Sequence, residues 1–237
     1  MPVRTTIVVG ASRGLGHGIA LAFAAAGDSV VAVSRTPADF PGSVKSELAN
    51  AGDATVPARL LDRYEPDVVV LVAGASPHMR PLQEQTWETF SVNWETDVRV
   101  TFGWLREILL KPLRPGSKVI VVSSGAALAG SPLSGGYAGA KATQRFITSY
   151  AQDEASRAGL EITFTAILPR FAPETGVGQP AVRAYAARAG QTLEEFLQQV
   201  GPPVTPELAG SELVELTGAA DISPAYVLTG SGLQQLP

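Results

Sequence analysis

The feature that most constrains this chain is a repeated alternation of short, nearly unbroken apolar runs with longer helical patterns. TTIVVG leads into GHGIALAFAAAG, SVVAVS follows, PDVVVLVAG precedes a long segment ending at Leu113, SKVIVVSS precedes YAGAKATQRFITSYAQDEASRAG, and EITFTAIL and AYVLTG close the series. A strand of continuous Val and Ile is buried on both faces, and strands separated by helices pair in parallel beneath them. The pattern predicts an α/β fold, a doubly wound parallel sheet in a three-layer α/β/α arrangement. Right-handed crossovers would gather the carboxyl ends of the strands along one edge, where such sheets bind ligands.

A length of 237 residues with 45% hydrophobic and 17% charged side chains suits one domain over residues 1–237. Two stretches break the alternation. Thr36 to Asp53 is short for a full helix plus a strand and contains Pro, Gly and Asn, so an irregular connection is expected there. Between Arg170 and Pro206, proline- and glycine-containing loops flank AVRAYAARAG and TLEEFLQQVG. This predicts an excursion over the strand ends, around 171–204, that would act as a substrate lid.

The formal charge is −4 and the fourteen arginines are scattered without a basic stripe, which argues against nucleic acid as a partner. MPVRTTIVVG enters an apolar strand at once and no eighteen-residue apolar run follows, so no membrane association is expected and a soluble, cytoplasmic protein is. Without cysteine these residues hold no disulfide, thiolate nucleophile or thiolate metal site, and His17 and His78 make no metal-ligand cluster.

GASRGLG, residues 10 to 16, stands between the first strand and the first helix. Gly10, Gly14 and Gly16 permit a tight turn and close backbone approach, while a helix N-terminus offers unpaired N–H groups to a pyrophosphate. The second strand of such a unit ends where the 2′ position of the adenosine ribose is read: an acidic residue suits the hydroxyl and arginine suits a 2′-phosphate. This chain has Ser34 and Arg35 there, with Arg13 inside the glycine loop, and the guanidinium pair favours NADP(H) over NAD.

In GGYAGAK, Tyr137 and Lys141 are four residues apart and share one helical face. Ser124 ends the strand VIVVSS thirteen residues before the tyrosine. A tyrosine with its ordinary pKa of about 10 is a poor base at neutral pH, and a neighbouring ammonium stabilises the phenolate. The small residues around the pair would leave room for cofactor and substrate. Strand alternation turns Ser123 to the other side of the sheet, in a structural role.

The glycine loop, the Tyr137–Lys141 pair and Ser124 together resemble the short-chain dehydrogenase/reductase family, over nearly the whole chain. The resemblance implies a Rossmann-like fold, hydride transfer between NADP(H) and a small-molecule carbonyl or secondary alcohol, and a Ser-Tyr-Lys triad. Ser124 would hold the substrate oxygen, Tyr137 would pass the proton, and Lys141 would also bind the nicotinamide ribose. It carries cofactor contacts onto Gly10, Ser12, Arg13, Gly14, Leu15, Gly16, Ser34, Arg35, Asp53, Ala73, Gly74, Tyr137, Lys141, Pro169 and Thr175. It also implies a homodimer or homotetramer, joined through long helices beginning near Gln83 and Tyr137.

Three departures bear on the site. Residues 71 to 74 read LVAG where the family commonly has Asn-Asn-Ala-Gly, so the asparagines that brace this strand end are missing. Asp97 takes the position of the family's catalytic asparagine, with Asn93 one turn earlier. The resemblance rests that role on a main-chain carbonyl that binds a proton-relay water, a role aspartate would fill while its charge acts on Lys141. Arg170 follows Pro169 where the family has glycine; it would select an acidic substrate or pair with a carboxylate such as Glu174. His78 falls in a loop on the substrate side. A competing reading is a catalytically impaired NADP-binding regulator or scaffold of the same fold, and the four-residue Tyr–Lys spacing disfavours enoyl reduction.

Overall fold

The computed structural model describes residues 3–236. Among them, eight strands form one sheet: β1 Thr5–Val9, β2 Ser29–Ser34, β3 Val44–Leu48, β4 Val68–Leu71, β5 Lys118–Val122, β6 Thr163–Pro169, β7 Ala225–Thr229 and β8 Gly232–Gln235. Their order is β3-β2-β1-β4-β5-β6-β7-β8, parallel throughout except for the antiparallel β7–β8 hairpin. The helices are α1 Gly14–Ala25, α2 Thr55–Tyr64, α3 Trp87–Asn93, α4 Arg99–Leu110, α5 Ala126–Ala129, α6 Tyr137–Arg157, α7 Gly178–Ala189, α8 Leu193–Val200 and α9 Pro206–Gly218. A π-helical turn, Trp94–Val98, joins α3 to α4.

The strand pleat builds two cores from single strands. In β1, Val8 packs with Ile19 and Phe23 of α1 and Leu213 of α9, while Ile7 and Val9 pack on the opposite face with Leu60 of α2, Trp104 of α4 and Ala151 of α6. Phe23 and Trp104 are fully buried, and burial of a large side chain contributes roughly 1.5–3 kcal/mol.

Two strands lay outside the apolar-run pattern. VKSEL forms edge strand β3 with only Val44 buried, since an edge strand covered on one face has no need of continuous apolar residues. It follows β2 without an intervening helix, so the segment after Thr36 is an irregular connection into an edge strand. GLQQ forms the other edge, β8, bonded to β7. The long helical run begins at Trp87, where Thr86 forms a capping box with Thr89, with a separate 3-10 turn over Leu82–Glu84.

Candidate active site

Strand order reverses at β1, which lies between β2 and β4, and this switch point opens the crevice beyond the carboxyl ends. The glycine loop occupies it, and its fit is steric. Gly10 has φ +94°, and a Cβ there would stand 2.5 Å from the Ala73 main-chain nitrogen. A Cβ on Gly16 would stand 2.2 Å from the Gly10 carbonyl oxygen. Arg13, at the N-cap of α1, supplies no side-chain cap, and the first turn contains no acidic residue. The donors of that turn therefore face the cleft without a side-chain acceptor, an arrangement that fits a pyrophosphate.

A cleft of about 680 Å³ runs from this loop to the region under α7 and α8. It is lined by Gly10, Ser12, Arg13, Gly14, Leu15, Gly16, Ser34, Arg35, Ala73, Gly74, Asp97, Ser124, Tyr137, Lys141, Pro169 and Thr175. Asp53 is not brought to it. Its carboxylate accepts hydrogen bonds from the Thr55 N–H at 2.9 Å and the Thr55 hydroxyl at 2.8 Å, an exposed turn that starts α2, and Asn50 and Ala51 line the cleft instead. The Ser34 hydroxyl donates to the Thr36 carbonyl at 2.6 Å. Arg13 and Arg35 are exposed, and neither forms an ion pair among the described residues.

At the other end, Ser124 follows β5, and its Oγ accepts the Ala126 N–H at 3.2 Å. Tyr137 is the first residue of α6, and Lys141 lies one turn on with Nζ 5.5 Å from the phenol ring centroid. Ser123, which lines the cleft as Ser124 does, donates to the Lys141 main-chain carbonyl at 2.7 Å, tying β5 to α6. The bare residues beside Tyr137 serve packing rather than ligand space. A Cβ on Gly136 would stand 2.4 Å from the Phe90 carbonyl oxygen and 3.1 Å from Trp94 Nε1, so this glycine lets α6 close on α3 and the π turn.

Asp97 lies in the π turn, with its side chain fully buried and Oδ2 3.1 Å from Lys141 Nζ. Burial opposes the lysine's charge, but the Asp97 carboxylate, aided by Tyr137, more than offsets it and holds Lys141 above its ordinary value. Asp97 Oδ1 accepts the Ala75 N–H at 2.8 Å, and Asn93 Nδ2 donates to the Ala75 carbonyl at 2.8 Å and to Asp97 Oδ1 at 3.3 Å. The brace missing from LVAG is thus supplied from the helix. The sequence marked both residues but gave no sign that they grip the strand end.

Arg170 lines the cleft beside the Ser124 turn, its Cγ 3.8 Å from where a Gly125 Cβ would be, and it forms no ion pair with Glu174. Pro77 and Met79 line the cleft, whereas His78 does not; its carbonyl accepts from Gln85 Nε2 at 3.0 Å. The sequence reading missed Tyr185 of α7, whose hydroxyl pairs with Ser131 Oγ at 2.6 Å while the residue lines the cleft. No helix among the described residues is long and apolar enough to cross a membrane.

A doubly wound sheet with a phosphate loop at its switch point and a serine, tyrosine and lysine at the neighbouring strand ends defines a dehydrogenase of the nucleotide-binding α/β class. The chain belongs to the short chain dehydrogenase family, whose profile matches residues 4–185. It is 31% identical over 184 residues to the hydroxynaphthalene reductase-like protein Arp2 of Metarhizium majus, covering 70% of this chain and 67% of that one. Among solved structures it resembles a short chain dehydrogenase family protein from Francisella tularensis, with a TM-score of 0.80 at 16% identity over 97% of this chain and 98% of that one. ElxO with NADP bound gives a TM-score of 0.76 at 19% identity with the same coverage.

Proposed function

We propose that this protein is an NADP(H)-dependent oxidoreductase that interconverts a carbonyl and a secondary alcohol, with Tyr137 as the general acid and base. The observation that carries this reading is that Ser124, Tyr137 and Lys141 line the same cleft as the glycine loop. When bound, NADP(H) supplies or accepts the hydride. The turn at Gly14–Gly16 holds its pyrophosphate, Ala73 and Gly74 pack against the adenosine, and Arg13 and Arg35 face the 2′-phosphate. Lys141 binds the nicotinamide ribose, with Pro169 and Thr175 at the amide end. Ser124 donates a hydrogen bond to the substrate oxygen, and Tyr137 gives that oxygen a proton in reduction and takes it back in oxidation.

The chain acts as one domain in which residues 171–204 cover the substrate. Phe171, Phe196 and Tyr185 of this lid, with Pro77 and Met79, give the substrate end apolar and aromatic walls beside Arg170, which suits a bulky carbonyl compound. The name of the Metarhizium relative agrees with such a substrate. A homodimer or homotetramer is supported by the exposed aromatics Trp94, Phe102, Phe146 and Tyr150 along α4, α6 and the π turn. The test is a fluorescence titration with NADPH and with NADH, followed by cofactor oxidation across a panel of aromatic ketones and aldehydes. Tight NADPH binding with turnover is expected; binding without turnover across the panel favours a regulator, and no binding of either cofactor overturns the proposal.

A further inference from the structure

The contact between Asp97 and Lys141 deepens the reading above and rests on it. The main-chain carbonyl of Asp97 accepts from Thr101 Oγ1 at 2.9 Å and from Gln144 Nε2 at 3.2 Å. A carbonyl oxygen has two lone pairs, so one engaged in this way is a poor seat for a relay water. The polar group that residue 97 presents to the lysine is instead its carboxylate, 3.1 Å from Nζ. Gly74 makes room for it, since a Cβ there would stand 2.9 Å from Oδ2. The pair is closed off, with side-chain exposures of 0% for Asp97 and 6% for Lys141. β4 and the loop after it present Ala73, Gly74 and Ala75, β5 presents Ser123, and α3 presents Asn93, all neutral. Tyr137 is the remaining titratable group that acts on Lys141.

We propose that Asp97 is the fixed counter-ion of Lys141, a positioning residue that leaves the lysine–aspartate pair electrically neutral beside Tyr137 and thereby sets the pH range over which the proton is passed. In a site of low dielectric, Tyr137 responds to the net charge of the pair rather than to the lysine alone. A neutral pair stabilises a phenolate less than a lone ammonium would; in reduction the Tyr137 O–H bond would break as the alcohol O–H bond forms, with NADPH, when bound, supplying the hydride.

The experiment is a pair of pH–rate profiles, reduction and oxidation, for the wild type and Asp97→Asn, with NADPH titration and thermal unfolding to establish that the variant is folded. Removing the negative charge should move both profiles toward lower pH by about one unit. Profiles that stay in place or move toward higher pH overturn the proposal. Where Asp97→Asn does not fold, the wild-type protein decides through the ¹⁵Nζ titration of its four lysines, with Lys141 assigned by its loss in Lys141→Arg. Lys141 should remain an ammonium at a pH where the other three have lost their protons; loss at or below their pH contradicts the counter-ion. A wild-type protein that turns over nothing sinks the proposed function, while this titration still reads the pair.

Discussion

The glycine loop after β1 and the strand end after β4 lie side by side in the cleft, and they are built on opposite terms. The loop depends on backbone meeting backbone. Gly10 and Gly16 stand where a Cβ would fall 2.5 Å and 2.2 Å from main-chain atoms, and no neighbouring side chain is able to move aside. The β4 end depends on side chains, and its polar brace is not tied to one element: residues 71 to 74 lack it, and Asn93 and Asp97 supply it from α3 and the π turn. Steric requirements of the main chain pin residue identity to position. A hydrogen-bonding requirement leaves the supplier free to change, provided that every buried group finds a partner.

Asp97→Ala should break this comparison most severely. It strips the counter-ion from a buried ammonium and frees the Ala75 N–H, and loss of one partner from a buried pair costs about 3–5 kcal/mol. Denaturant unfolding checks this, and a loss below about 1 kcal/mol would mean that the pair is solvated after all. Gly16→Ala comes next, at about 3 kcal/mol for a methyl forced against a carbonyl, with NADPH affinity falling in parallel. Unchanged affinity would show that the loop has more freedom than its contacts indicate. The smallest effect sharpens the contrast from the surface. Glu95 pairs with Arg99 at 2.6 Å, one turn apart and exposed on both sides, so Glu95→Ala should change stability by no more than about 0.5 kcal/mol.

The same contrast explains what the sequence made legible. Buried parallel strands announce themselves because both faces are apolar, which is why β1, β2, β4, β5, β6 and β7 were readable. β3 and β8 lie at the sheet edges, where VKSEL and GLQQ need no such pattern. The glycines of GASRGLG and the Tyr137–Lys141 pair were visible because spacing along one element fixes their geometry. Asp53 was misplaced because it lies beyond an irregular connection, and there spacing says little about where a side chain ends up. The direct Asp97–Lys141 contact depends on a π turn, and nothing in WETDV distinguishes that turn from an α-helical one. The glycines around Tyr137 were visible, but their spacing did not say that they let α3 close on α6.

Tyr137→Phe tests the central claim most directly, measured beside the wild type for NADPH binding and for turnover of a carbonyl substrate that the wild type reduces. Removing one hydroxyl keeps the ring and the start of α6, so NADPH should bind as before, while the rate falls by about 10²–10⁴-fold with the loss of the proton donor. A variant that binds NADPH and reduces the substrate at the wild-type rate would contradict the account, because Tyr137 would then not be the residue that passes the proton.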